Sequence, residues 1–360
     1  MQRLRPISTL LFCLIWTASA AAQPSPTPPA AEPAKPAAAP KAKPPAVAKK
    51  PPAPAATPKP EATPASAATV TPAPAADDPN VDLVYGAYQR GMYKTSFDLA
   101  SQRAAAGDSK AMTMLGELYS NALGVKRDFA KAADWYKRAA DAGDREAMFA
   151  LAMMRLEGRG GAQNRQEAVK LLASSAKLGN PKAAYNLALL YLDGQSLPQD
   201  VKRAAELLRQ AADAGNPEAQ YALATFYKEG TGVPKDLEKS VRLLQAATLA
   251  DNVDAEVEYA IALYNGSGTP KNEAAAVTLL RRAARQNSPI AQNRLARVLV
   301  TGQGAPIDKI EGIKWHLIAK TAGKGDPMLD EELGRLSPED RAKAEAGARK
   351  WLGSPVLTPR

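Results

Sequence analysis

Ala219 to Gly232 reads AQYALATFYKEGTG, and Asp128 to Gly143 reads DFAKAADWYKRAADAG. In the first stretch Ala219 and Leu223 stand four residues apart with small Ala224 beside them, which describes one packed stripe of a helix. The second opens on a residue that caps helices, carries Ala132, Trp135 and Ala139 at helical spacing, and closes on Gly143. Neither stretch is alone. Ala111, Ala147, Ala183, Ala219, Ala255 and Ala291 are each 36 residues apart, and Leu115, Leu151, Leu187, Leu223, Tyr259 and Leu295 follow four residues later. A fixed period of this size marks a repeat architecture, and it outweighs any local reading.

The ends of the helices repeat as well. Asp108, Asp144, Asn180, Asn216, Asn252 and Ser288 precede the first stripe, with Pro181, Pro217 and Pro289 at the first helical position, where a missing N–H costs nothing. Asp128, Asn164, Asp200, Asp236, Asn272 and Asp308 open a second helix. That helix closes at Gly107, Gly143, Gly179, Gly215, Asp251, Asn287 and Gly323, residue types that accept the left-handed backbone. Between the two helices lies a glycine-bearing loop, such as Gly230 and Gly232. A phosphate-binding loop would follow a strand and carry a Lys-Ser or Lys-Thr pair, which these loops lack, so they read as turns.

A helix-turn-helix unit cannot bury its apolar face alone, so units stack. The predicted fold is all-α: a right-handed α/α solenoid of about seven 36-residue repeats over 80–323. Residues 82–107 form a shortened first unit without the glycine loop, and 324–360 form more polar capping helices and a tail. The low aromatic content, 6%, fits a core built from Ala and Leu.

Upstream, the composition changes. Arg3 and Arg5 followed by apolar Ile7–Thr17 and by small residues at Ala18–Ala22 read as a signal peptide over 1–22, cleaved after Ala20 or Ala22. The apolar stretch falls short of the ~20 residues that span a bilayer as a helix. Membrane attachment is therefore expected only if this segment is left uncleaved, and the location expected is periplasmic or secreted. Cys13 is the only cysteine, so the mature chain has no disulfide or thiolate chemistry. More than half of the 30 prolines fall between Gln23 and Pro79. That Ala/Pro/Lys-rich segment, 23–79, is expected to be a disordered linker. The formal net charge of +10 is spread over leader, linker and repeats with both signs interspersed, which argues against nucleic acid as a partner.

The run Ala-x3-Leu-Gly/Ala-x2-Tyr-x2-Gly-x-Gly-Val, followed by Asp, Ala, Trp-Tyr, Ala-Ala and a closing Gly, resembles the Sel-one-like repeat family, a 36-residue relative of the tetratricopeptide repeat. The resemblance covers about residues 82–323. Arg155 stands where the family has Tyr, Ser196 where it has Gly, and the unit from Asn252 to Asn287 is weaker. The resemblance implies an adaptor or scaffold that holds partner proteins, in bacteria often in the envelope. Members pinned by disulfides form a branch whose activities are not carried over, because these repeats have no cysteine.

No catalytic constellation is legible. His316 is the only histidine, so neither a Ser–His–Asp site nor a histidine-rich metal site can be assembled. It falls on the stripe held elsewhere by Tyr136, Leu172, Leu208, Leu244 and Leu280, and reads as a packing residue. No cofactor and no metal are expected, and the chain reads as a non-enzyme. By analogy with tetratricopeptide units, the concave face is lined by first helices. Its inward positions are Phe149, Met153, Tyr185, Leu189, Tyr221, Val257, Ile261 and Tyr264. These form a candidate band for binding one or more proteins or peptides; Tyr185 and Tyr221 also match common family residues, so core packing accounts for them equally. The alternative is an accessory factor or enzyme of cell-wall glycan that uses the superhelix as a platform, and a third reading is a spacer built on the Pro-rich segment.

Overall fold

The structure, a computed structural model, describes residues 83–353; the expected leader and linker lie outside the described residues. Sixteen helices follow one another, with no strand among the described residues. They pair as α1 (Leu83–Gln89) with α2 (Tyr93–Ala105), α3 (Ser109–Asn121) with α4 (Phe129–Asp141), and α5 (Arg145–Glu157) with α6 (Arg165–Lys177). Next come α7 (Pro181–Asp193) with α8 (Val201–Asp213), α9 (Pro217–Glu229) with α10 (Leu237–Leu249), α11 (Val253–Asn265) with α12 (Glu273–Arg285), and α13 (Pro289–Thr301) with α14 (Lys309–Thr321). Two further helices, α15 (Pro327–Arg335) and α16 (Pro338–Leu352), complete the described residues. The seven pairs make an α/α solenoid. Within the seven pairs each helix packs on the next in sequence, the last helix α16 packs back on α14, and where consecutive helices of one class approach each other (α1 with α3, α3 with α5) they are first helices. The first helices therefore line the inner side of the stack.

Capping sets the boundaries. From α3 to α14 every N-cap side chain accepts a backbone N–H, for example Asp144 from Ala147 at 2.7 Å and Asn216 from Ala219 at 2.7 Å. Each such cap contributes ~1 kcal/mol, enough to fix the limits of helices only 13 residues long. The first unit is shortened and lacks the longer loop, as expected, but it does have a glycine turn. Its two helices are joined at Gly91, φ 73°, so a tight glycine turn replaces the longer loop and α1 keeps only 7 residues.

Where the inter-helix loop carries a glycine at its second marker position, that glycine touches the preceding unit. At Gly268, φ 72°, an added Cβ would lie 2.3 Å from the Leu237 carbonyl oxygen at the start of α10. At Gly160 the same atom would lie 2.1 Å from the Phe129 carbonyl oxygen at the start of α4. These loops are how one unit seats on the last.

Two registers show the same task done by different residues. In four second helices, α6, α8, α10 and α12, a carbonyl of the last turn receives a side-chain donor. Ala176 takes Gln210 at 2.6 Å, Ala212 takes Gln220 at 3.2 Å, and Ala284 takes Gln292 at 3.1 Å. In the unit from Asn252 to Asn287 the glutamine's place is held by Glu256, which has no N–H to donate. Arg282 fills the gap: it reaches the Thr248 carbonyl at 3.4 Å and pairs with the buried Glu256 carboxylate at 2.5 Å, while Gln286 adds a bond at 3.2 Å. The sequence departure at this unit is thus a compensated one.

The second register explains Arg155. In three other units a tyrosine near the end of the first helix meets a cation in the second helix. Lys131 lies over Tyr119 and Lys239 over Tyr227, both at 5.4 Å from the ring centre, and Arg203 meets Tyr191. At this register Arg155 replaces the ring and Glu167 replaces the cation, and the two form an ion pair at 2.9 Å.

Candidate functional site

Of the eight first-helix positions singled out from sequence, six are half-buried: Phe149, Met153, Tyr185, Tyr221, Ile261 and Tyr264. The other two offer no surface. Leu189 is 8% exposed and Val257 3% exposed. Val257 shares its register with Tyr185 and Tyr221, but a valine ends where a tyrosine ring continues outward, so neighbours cover it and it joins the core of the C-terminal units. These two positions are packing residues.

Around Tyr221 the face is acidic. Desolvation raises the tyrosine hydroxyl, and the charges of Glu258 and Asp254 on α11 and Glu229 on α9 raise it further. Desolvation and the Glu258 charge likewise raise the Asp254 carboxyl. Glu229 is raised by desolvation, with Glu258 adding to it and Lys228 opposing. Lys228 and Glu258 pair at 2.7 Å, whereas Asp254 and Glu229 have no ion-pair partner among the described residues. Tyr185 is raised by desolvation and by Glu218.

Ile261 and Tyr264 meet a different environment. They line a cleft of about 230 Å³ between α11 and α13, floored by Ala260, Leu280 and Val298 and flanked by Met328 of α15. Its polar rim holds Arg294, Arg297, Thr301, Gln303 and Asn265, with no carboxylate among the lining residues. The Tyr264 hydroxyl donates to Gln303 Oε1 at 2.5 Å, which fixes the ring at the edge. Arg297 pairs with Asp326, which also accepts from Asn293 at 3.2 Å. Burial alone would raise Asp326, but these two side chains hold its carboxyl below the usual range. Arg294 makes no ion pair among the described residues and is exposed.

The sequence reading missed Arg294, Gln303 and Met328. Arg294 carried a usable signal: it precedes Arg297 by three residues, one turn along the same helix face. Met328 carried none, because α15 lies outside the repeat register.

His316 is fully buried, and its Nε2–H donates to Asp330 at 2.8 Å, the oxygen that also accepts from Lys320 at 2.7 Å. It joins α14 to α15. Among the described residues no group of three His, Cys, Asp or Glu side chains could hold a metal ion, and no helix is long and apolar enough to cross a membrane.

The model of the Sel1 repeat matches six consecutive spans, 109–144, 145–180, 181–216, 217–252, 253–288 and 289–324, more than half of the chain. Among solved structures, the chain is similar to a Sel1 repeat protein from Oxalobacter formigenes. The identity is 26% with a TM-score of 0.60, covering 66% of this chain and 98% of that one. It is also similar to a protective antigen present in uropathogenic Escherichia coli strains that displays the same repeat fold. There the identity is 25% with a TM-score of 0.52, covering 72% of this chain and 64% of that one. No protein of curated function matches. Repeat proteins of this kind in general bind other proteins and serve as interaction scaffolds. By its period, its caps, its stacked helix pairs and these matches, the chain belongs to the Sel1 repeat family.

Proposed function

We propose that this protein is a non-catalytic, exported scaffold that holds a partner protein along the face lined by its first helices, with the cleft at Ile261 and Tyr264 as the principal contact. The observation that carries this reading is that six half-buried apolar or aromatic side chains recur on one face, and two of them edge a cleft rimmed by guanidinium groups. Partly exposed apolar surface rimmed by polar groups is what interaction sites present. An exported location follows from the N-terminal pattern of Arg3, Arg5 and the apolar stretch behind them. The single histidine is buried and tied to Asp330, which supports a packing role for it.

Photocrosslinking tests this. A photoreactive residue placed at Tyr264 or at Tyr221 in the full chain, expressed in its native cell, should capture one discrete protein. The same residue at Lys239, exposed on the second helix α10, should not. Capture of glycan fragments, or capture no different from Lys239, would overturn the reading.

A further inference from the structure

The cleft between α11 and α13 has a chemistry of its own, and its contents follow from its walls. The interior is apolar: Leu280 and Val298 form the floor, Ile261 one side, Met328 the other. At about 230 Å³ it lies below the roughly 300–1,000 Å³ typical of small-molecule sites. It has room for one or two side chains of a longer ligand, not for a whole cofactor.

The rim has one sign of charge. Arg297 is neutralised by buried Asp326, so its charge is already answered. Arg294, one turn away on the same helix, is not, and no carboxylate lines the cleft. A guanidinium beside apolar walls suits a carboxylate, because its planar fork matches the two oxygens while the apolar group next to that carboxylate is buried. A cationic ligand would find nothing there to pair with. Carboxylates crowd instead around Tyr221, at the other end of α11.

We propose that the cleft accepts a polypeptide segment of a partner protein in which a large apolar side chain stands beside an acidic one. The apolar group enters between Ile261, Leu280, Val298 and Met328, and the side-chain carboxylate meets Arg294. This rests on the reading of the first-helix face as a protein-binding surface and specifies what that surface selects.

An array of peptides capped at both ends tests it. Each carries Leu, Phe or Met at its centre, flanked by Glu, Gln or Lys, and is probed with the full-length protein. Glu-flanked peptides should be retained at least tenfold over Lys-flanked ones. Arg294→Glu should reverse that order. Because Arg294 is exposed and without an ion pair, the variant should melt like the parent, which circular dichroism checks. Ile261→Asp should abolish retention of all classes. Equal retention of acidic and basic peptides, an order unchanged by Arg294→Glu, or retention of none would overturn the proposal. So would binding confined to a companion set left uncapped at the C-terminus, since a terminal carboxylate would then be the ligand. If the array fails while photocrosslinking at Tyr264 still captures a discrete protein, the acidic-apolar specificity is wrong and the scaffold reading stands. If both fail, both are wrong.

Discussion

Tyr221 and Arg294 lie on the same face of the stack, and their surroundings have opposite charge. Asp254, Glu258 and Glu229 surround Tyr221, with only Lys228 to offset them. Around Arg294 there are guanidinium groups and an apolar floor with no carboxylate among the cleft's lining residues, and Asp326 is spent on Arg297. The frame beneath is unchanged: Leu223 and Leu295 are both buried at the same register, and Asn216 and Ser288 cap their helices in the same way. The repeat fixes the backbone through a few buried and capping positions, and leaves the inner surface of each unit free to differ. Helix α11 bridges the two regions, with Asp254 and Glu258 on the acidic side and Ile261 and Tyr264 in the cleft.

The largest expected effect comes from loosening that bridge. Arg282→Ala would leave the Glu256 carboxylate buried with only Gln286, and the Thr248 carbonyl without its side-chain donor. The loss should be about 3 kcal/mol in urea denaturation, the scale for breaking a buried ion pair. Glu256→Gln should cost less than about 1 kcal/mol, because glutamine already serves at this register in Gln220 and Gln292. The double variant should recover most of the Arg282→Ala loss. If Glu256→Gln is as damaging as Arg282→Ala, the register equivalence is wrong.

Acidification separates the two regions by sign. Asp326 has a lowered folded-state carboxyl, so its contribution is present above the unfolded value and is lost as pH falls through the folded one, below about pH 4. Asp254 and Glu229 have raised carboxyls, so protonating them is easier in the folded chain, and stability rises as pH falls toward their folded values. Hydrogen exchange should show α9 and α11 better protected on mild acidification, while α13 and α15 lose protection at still lower pH. Parallel behaviour of the two regions would contradict the charge contrast.

Smaller effects test the shared frame. Ala122 closes α3 in the left-handed conformation, φ 59°, where Gly230 and Gly302 close the corresponding helices of the two regions. Ala122→Gly should therefore stabilise by about 1 kcal/mol, read from the thermal midpoint. The smallest effect is at Arg155 and Glu167. Arg155→Tyr and Glu167→Lys should each be mildly destabilising, and the double variant should restore a ring–cation pair, with a coupling energy of about 0.5 kcal/mol in a double-mutant cycle. A coupling of zero would mean that the register is not a paired one.

Much of this was legible in the amino-acid order because the repeat states each requirement six or seven times. The capping residues, the left-handed closures at Asp251 and Asn287, and the stripes of Ala and Leu all follow from a 36-residue alignment of the chain with itself. The site was less legible. Register alone does not say whether a side chain ends below its neighbours or beyond them, which is why Val257 and Leu189 proved to be core. Arg155 looked like a defect until the neighbouring helix supplied Glu167. The cleft depends on Met328, which no repeat alignment could place, and on the unpaired state of Arg294, which only the packed neighbours decide.

The most direct test of the account is the yield of photocrosslinking to one captured protein, compared among Tyr264, Tyr221 and Phe149 on the first helices and Lys239 on a second helix. The account predicts the highest yield at Tyr264, lower yields at the other two first-helix sites, and background at Lys239. A yield at Lys239 equal to that at Tyr264 would contradict it, because the partner would then be held by the outer side of the stack.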